Sequence, residues 1–154
     1  MKIRRYRDQD QDAVWFLHSV AMKATKGAHA ENESLYKDLH NIRETYLNSG
    51  GEFLVAVKNN QIIAMGALAK SGSNRAEIKR MRVLPHFQRR GLGQAVLQKL
   101  EARAIELGYV TIHLDTTVGQ KVAQAFYIQN GYIEVRRSQF CQFDTIIYQK
   151  RLTN

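Results

Sequence analysis

Cysteine is nearly absent: Cys141 is the single one in 154 residues, which excludes an internal disulfide framework and any site built from several thiolates. No stretch approaches the ~20 apolar residues of a membrane-spanning helix. The N-terminus, MKIRRYRDQD, is too charged to hold the apolar core of a secretory signal. A cytoplasmic protein is the expectation. Acids are the scarcer charge, 14 Asp and Glu against 23 Lys and Arg for a net +9, so the partner is expected to be anionic. The chain has no helix-turn-helix, zinc or aromatic RNA-binding pattern, which leaves nucleic acid without a motif in its favour. His18, His29 and His40 have no metal-ligand spacing and read as solvated or core histidines, so no metal is expected. No linker, repeat or low-complexity segment divides the chain. Residues 1–154 are expected to form one domain, long enough to bury ~70% of its unfolded surface.

What is present alternates between strand and helix patterns. Residues 3–7 read as a short strand, and Asp8, Asp10 and Asp12 put acids in the first turn of the helix that follows. There Val14, Leu17, His18, Ala21 and Met22 recur at helical spacing. A loop holding Gly27 leads to a second helix over about 33–47, with Leu35, Leu39, Ile42 and Tyr46 on one stripe and Gly50 and Gly51 as its stop. Residues 53–57 and 62–68 read as an antiparallel pair joined by Lys58, Asn59, Asn60 and Gln61, because asparagine tolerates the positive φ of a tight hairpin. A turn over 71–74 feeds a strand over 76–84. Its apolar positions Ile78, Met81 and Val83 are spaced three and then two, which predicts a β-bulge within 79–81. A helix over 92–107, with Leu92, Val96, Leu100, Ala104 and Leu107 inward, stops at Gly108. Val110, Ile112 and Leu114 then alternate as a strand, and this order implies a parallel pair. Thr116 or Thr117 is placed to cap a helix over 120–129, and 132–135 with 143–152 read as a closing antiparallel pair.

The stretch Gln88-Arg89-Arg90-Gly91-Leu92-Gly93 lies at the strand-to-helix turn. Glycines one residue apart leave the backbone bare, so several N–H groups can face one ligand, and the helix dipole and the two arginines add positive charge. An anion such as phosphate suits that surface. A tight turn with close strand-helix packing is the structural alternative. No Gly-Lys-Ser/Thr follows, and the third glycine and downstream acid of a dinucleotide fingerprint are missing.

With Ala123, Phe126, Tyr127, Asn130, Gly131 and Tyr132, the residues from Glu77 onward resemble the GCN5-related N-acetyltransferase (GNAT) family. Gln88, Gly91 and Gly93 meet its acetyl-CoA motif, and the stretch from Ala123 to Tyr132 looks like its Ala-x-x-aromatic-Tyr-x-x-x-Gly-aromatic signature. The resemblance implies a single α/β domain with a mixed, mostly antiparallel sheet, helices on its flanks, and a central parallel pair that splays apart after Leu114. It also implies that acetyl-CoA serves as acetyl donor, with its pyrophosphate on the amides of Arg89, Arg90, Gly91, Leu92, Gly93 and Gln94. The pantetheine arm would run along Met81, Arg82 and Val83. Gln120 stands where the family often has Asn, a longer amide whose contact to the arm is kept or shifted.

The family's chemistry implies an N-acetyltransferase acting on a primary amine by direct attack in a ternary complex. The acceptor is expected to be a small molecule, with a protein or peptide amine, or a catalytically weak CoA-binding regulatory module, as alternatives. An alkylammonium must first lose a proton, for which Glu77 is the candidate base, directly or through water; a surface strand residue is its other reading. A backbone N–H near Met81 or Arg82 would hold the oxyanion. Tyr127 matches the family's usual acid for the departing thiolate, with packing as its alternative role. Cys141 reads as a spectator. The acceptor wall would draw on Tyr36, His40, Tyr46 and Phe140, where the acids Glu31, Glu33 and Asp38 either attract a cationic amine or solvate a helix. A homodimer is a family-based expectation.

Overall fold

The computed structural model describes residues 1–24, 33–140 and 142–153, and nothing of the Glu33 and Ser34 side chains. The expectations for Gly27, His29, Glu31 and Cys141, and for the Glu33 side chain, therefore lie outside the described residues. Seven strands form one sheet in the order β1-β2-β3-β4-β5-β7-β6: β1 Lys2–Arg5, β2 Glu52–Lys58, β3 Gln61–Gly72, β4 Arg75–Val83, β5 Thr111–Thr117, β6 Ile133–Phe140 and β7 Phe143–Arg151. Three α-helices flank it: α1 Gln11–Lys23, α2 Leu92–Glu106 and α3 Lys121–Gln129. Among the described residues only β4 and β5 run parallel, and every other pairing is antiparallel. This is the mixed α/β architecture the sequence implies. Among the described residues no helix is long and apolar enough to cross a membrane.

Strand β3 lies inside the sheet, between β2 and β4, and its run from Ile62 to Leu68 is apolar without alternation, the pattern of a strand covered on both faces. Helix α1 packs on one face of β3 and β4, and α2 on the other. The α2 approach is close enough to demand a glycine: a Cβ on Gly66 would stand 2.5 Å from Met81 Sδ and 2.9 Å from Val96 and Leu100. The β2-β3 hairpin turns on Asn59 and Asn60, both at positive φ (50° and 64°), as the asparagine pair requires.

Several expectations need correction. The first strand ends at Arg5, and a tight turn over Asp8–Asp10 precedes α1. The helix expected over 33–47 is broken: a 3-10 segment, Glu33–His40, carries non-helical dihedrals at Tyr36, and a wide turn follows at Arg43–Leu47. Leu39, Ile42 and Tyr46 are nevertheless buried, so the apolar stripe survives the change of pitch. Val110 is exposed and stands before β5. Thr116 and Thr117 end β5 rather than cap α3; the N-cap is Gln120. Strand β6 runs on to Phe140, all of it exposed.

Candidate active site

The bulge falls where the spacing of Ile78, Met81 and Val83 puts it. Met65 pairs with Arg82 and Ala67 with Lys79, so Arg80 and Met81 oppose Gly66 alone, and Arg80 takes a left-handed φ of 59°. Parallel pairing of β4 with β5 covers Arg75, Ala76 and Glu77 opposite Thr111, Ile112 and His113, and stops there. The strands therefore part after His113, one residue before the expected Leu114. From 78 to 83 the β5-facing edge of β4, where Met81, Arg82 and Val83 lie, has no strand partner.

The turn ahead of α2 is open in the way its glycines imply. Arg89 and Gly91 both have positive φ (63° and 79°), and no side chain caps the helix. The N–H of Ala95 is the first to reach back, to the Gly91 carbonyl at 3.0 Å. Among the described residues no acceptor meets the amides of Arg89, Arg90, Gly91, Leu92, Gly93 or Gln94. This is a cluster of orphan donors at a helix N-terminus. A Cβ on Gly91 would meet nothing within 4 Å, so the turn is open there, whereas one on Gly93 would stand 3.6 Å from the Phe126 ring and 3.9 Å from Val83. Gln88 donates from Nε2 to the Val83 carbonyl at 3.2 Å and fixes the turn to β4. Arg90 lies over the Phe87 ring at 5.4 Å, and both arginines are exposed.

The two sequence motifs meet physically. Gln94 Nε2 donates to Asn130 Oδ1 at 3.3 Å, Asn130 Nδ2 donates to the Phe126 carbonyl at 2.8 Å, and Phe126 lies over Gly93. Tyr132 donates to Glu101 on α2 at 2.8 Å. Helix α3 is thereby tied to α2 at both motifs, and Tyr127 is buried between the Phe126 and Tyr132 rings, 5.0 and 5.7 Å away. Among the described residues its hydroxyl has no hydrogen-bond partner. Burial pushes its phenol above the usual range, against the pull of nearby Arg82, so it holds its proton as a neutral donor.

On the face of the sheet that carries α1, the bulge builds a polar cluster. Met81 turns toward α2, and Glu77, Arg80 and Arg82 turn the other way. Arg80 donates to both oxygens of Asp38, at 2.9 and 2.7 Å, and to the Leu35 carbonyl at 3.0 Å. Tyr46 donates to Asp38 as well. Burial alone would raise the Asp38 carboxyl; the Arg80 hydrogen bonds overcome it and hold it below the usual range. Asp38 thus neither attracts an amine nor solvates a helix. It neutralises Arg80, a pairing that no motif announced. Tyr36 packs beneath the Arg80 guanidinium at 4.9 Å, and His18 lies 4.4 Å from the Tyr36 ring. His18 is a core histidine: burial, then Arg82 and Arg80, push its imidazole down to about 3. Of the remaining wall residues, His40 is exposed beside Trp15 and Phe140 is exposed on β6.

Glu77 is half-buried at the last β4 position paired with β5, and burial raises its carboxyl above the ordinary glutamate range despite Lys79. Gln120 folds back, its Oε1 accepting from the Thr117 N–H at 3.1 Å. Among the described residues no group of three His, Cys, Asp or Glu is placed to hold a metal.

These features define the class: an α/β domain whose mixed sheet opens at the parallel β4-β5 pair beside a turn of unpaired amides. A family model described as the Acetyltransferase (GNAT) family matches residues 11–132, and the chain belongs to that family. It is similar to an acetyltransferase of the GNAT family from Staphylococcus aureus Mu50, with a TM-score of 0.89 and 25% identity over 99% of both chains. It shares its fold with the PaiA N-acetyltransferase of Thermoplasma acidophilum, solved in complex with coenzyme A, at a TM-score of 0.79 and 19% identity, covering 97% of this chain and 98% of that one. Rat N-acetyltransferase 8F1 is 27% identical over 103 residues, 64% of this chain and 47% of its own length. The chain spans about half the length of that curated relative.

Proposed function

We propose that the protein transfers an acetyl group from acetyl-CoA to the primary amine of a small molecule, by direct attack with both substrates bound. The observation that supports this is the nearness of three features, open amides at 89–94 with Gly93 beside Val83, an unpaired β4 edge over 78–83, and Tyr127 near Arg82 with a hydroxyl that has no partner among the described residues. A pyrophosphate suits the cradle, since among the described residues its donors lack protein acceptors and Gly91 has open space where a Cβ would stand. The β4 edge offers main-chain donors and acceptors to the amides of a pantetheine arm, as a sheet edge does for an added strand. Gln120 has its Oε1 held by Thr117 and no partner for Nε2 among the described residues.

The amine nitrogen forms a bond to the thioester carbon, and the carbon-sulfur bond breaks. Glu77, directly or through one water, takes the ammonium proton before attack. Its raised carboxyl is a better match to that task than an ordinary glutamate. A backbone N–H near Met81 or Arg82 holds the oxygen as its charge develops. Tyr127 gives its proton to the leaving thiolate, and the proton the nitrogen sheds as the amide forms restores the phenol, directly or through water. Incubating the protein with acetyl-CoA and a panel of amines while following free thiol tests this reading: thiol release that depends on an amine supports it, and coenzyme binding without release for any amine would reduce the protein to a binding module.

A further inference from the structure

Arg82 projects from β4 just past the bulge, on the face that carries α1, where it lies close to Arg80, Tyr127, Tyr36 and Asp38. Its guanidinium has no carboxylate within ion-pair distance among the described residues. Nη1 donates to the carbonyl of neighbouring Met81 at 2.9 Å, Nε is sealed from solvent with no partner, and Nη2 has no partner among the described residues. The nearest acid, Asp38, is taken: both of its oxygens accept from Arg80 and it also accepts from Tyr46. Burial and the adjacent Arg80 charge lower Arg82 to about 10, the mark of a cation short of a counter-charge. Two guanidiniums thus stand by one carboxylate in a largely buried place. Such a group is costly to keep unless a ligand completes it.

The ligand that completes it is the acceptor. Acetyl-CoA carries its negative charge on phosphates, which the open turn at 89–94 would take, and its thioester end is neutral. The anion for Arg82 therefore has to arrive on the other substrate, beside the Tyr127 hydroxyl. A planar fork with two free N–H directions is suited to a carboxylate. Resting on the acetyl-transfer reading above, we propose that Arg82 binds a carboxylate of the acceptor, which is an amino acid or a similar small amine bearing a carboxylate near its primary amine. Arg82 is then the specificity-determining residue, and Arg80 and Asp38 set its direction by filling the space beside it.

The test compares matched acceptors that differ only in the carboxylate: leucine with 3-methylbutylamine and leucinamide, and phenylalanine with phenethylamine. The expected result is a kcat/KM for the amino acid above that of its decarboxylated partner. In Arg82→Met that ratio should fall roughly 10- to 100-fold, the range of one charge-assisted hydrogen-bonded pair, and in Arg82→Lys by less. Calorimetric titration of the amino acid into the protein with CoA present gives a second readout, in which the heat of binding should vanish in Arg82→Met. Equal rates for the paired acceptors, a ratio unmoved by Arg82→Met, or no turnover and no binding of any amino acid would overturn the inference. If thiol release with uncharged amines persists in those cases, acetyl transfer stands and only the carboxylate assignment fails. If acetyl-CoA itself does not bind the wild-type protein, both fail.

Discussion

Arg80, at the β-bulge, holds Asp38 through two hydrogen bonds of 2.9 and 2.7 Å across 42 residues of sequence. The side chains are 12% exposed at both ends, so this is a buried pair that joins the broken helical segment to the strand edge. Removing one partner leaves the other charged and buried. Asp38→Leu should destabilise the fold by about 3–5 kcal/mol in chemical denaturation, and adding Arg80→Met should recover much of that. A double variant no more stable than Asp38→Leu would show that the pair does not couple these elements.

The bulge could be read from the chain because Ile78, Met81 and Val83 break the period of two, and the hairpin because Asn59 and Asn60 suit positive φ. The open turn was legible for the same local reason, glycines at a strand-helix junction. What was not legible depends on partners far along the chain. Leu35, Leu39, Ile42 and Tyr46 keep a helical stripe whether the backbone is regular, tight or wide, so the break at Tyr36 leaves no trace in the pattern. Asp38 looks like any solvated helix acid until Arg80 is brought to it. Strand β6 was read short because it is exposed throughout and its charged residues Arg136 and Arg137 show no buried alternation.

Tyr127→Phe removes the proposed proton donor but keeps the ring between Phe126 and Tyr132. Turnover is expected to fall about 100-fold or more, with acetyl-CoA affinity within a few-fold of wild type. Loss of affinity and of turnover in equal proportion would assign Tyr127 to packing instead.

Activity should rise with pH through a value above the ordinary glutamate range, since Glu77 must lose its proton to act and burial raises its carboxyl. Glu77→Gln should lower kcat/KM and erase that acidic limb of the pH-rate profile. A limb that survives in Glu77→Gln belongs to another group.

Stability should fall in mild acid because of His18. The unfolded imidazole binds its proton near 6.5 and the folded one only near about 3. Between those values the unfolded chain carries more protons, so stability is full above about 6.5 and is lost as pH falls, by up to ~1.4 kcal/mol per pH unit. Arg80, Arg82 and Asp38 face this ring, and the two arginines oppose its protonation. His18→Phe keeps a ring against Tyr36 and should flatten denaturation midpoints between pH 6.5 and 4, leaving the smaller slope of His113, whose imidazole is also lowered by burial. An unchanged slope would place the acid sensitivity elsewhere.

The most direct test of the account is a calorimetric titration of acetyl-CoA into wild-type protein and Gly93→Val. A Cβ at 93 meets only ordinary contacts and the helix gains a residue of better propensity than glycine, and a thermal melt run alongside establishes that the variant is folded. Its branched methyls would extend past that Cβ toward Phe126 and Val83, into the junction of the turn and the β4 edge where the coenzyme is proposed to lie. Saturable binding to the wild type, weakened about tenfold or more in a Gly93→Val protein that remains folded, is the expected result; absence of any heat of binding in the wild type, or equal affinity in both proteins, would contradict it.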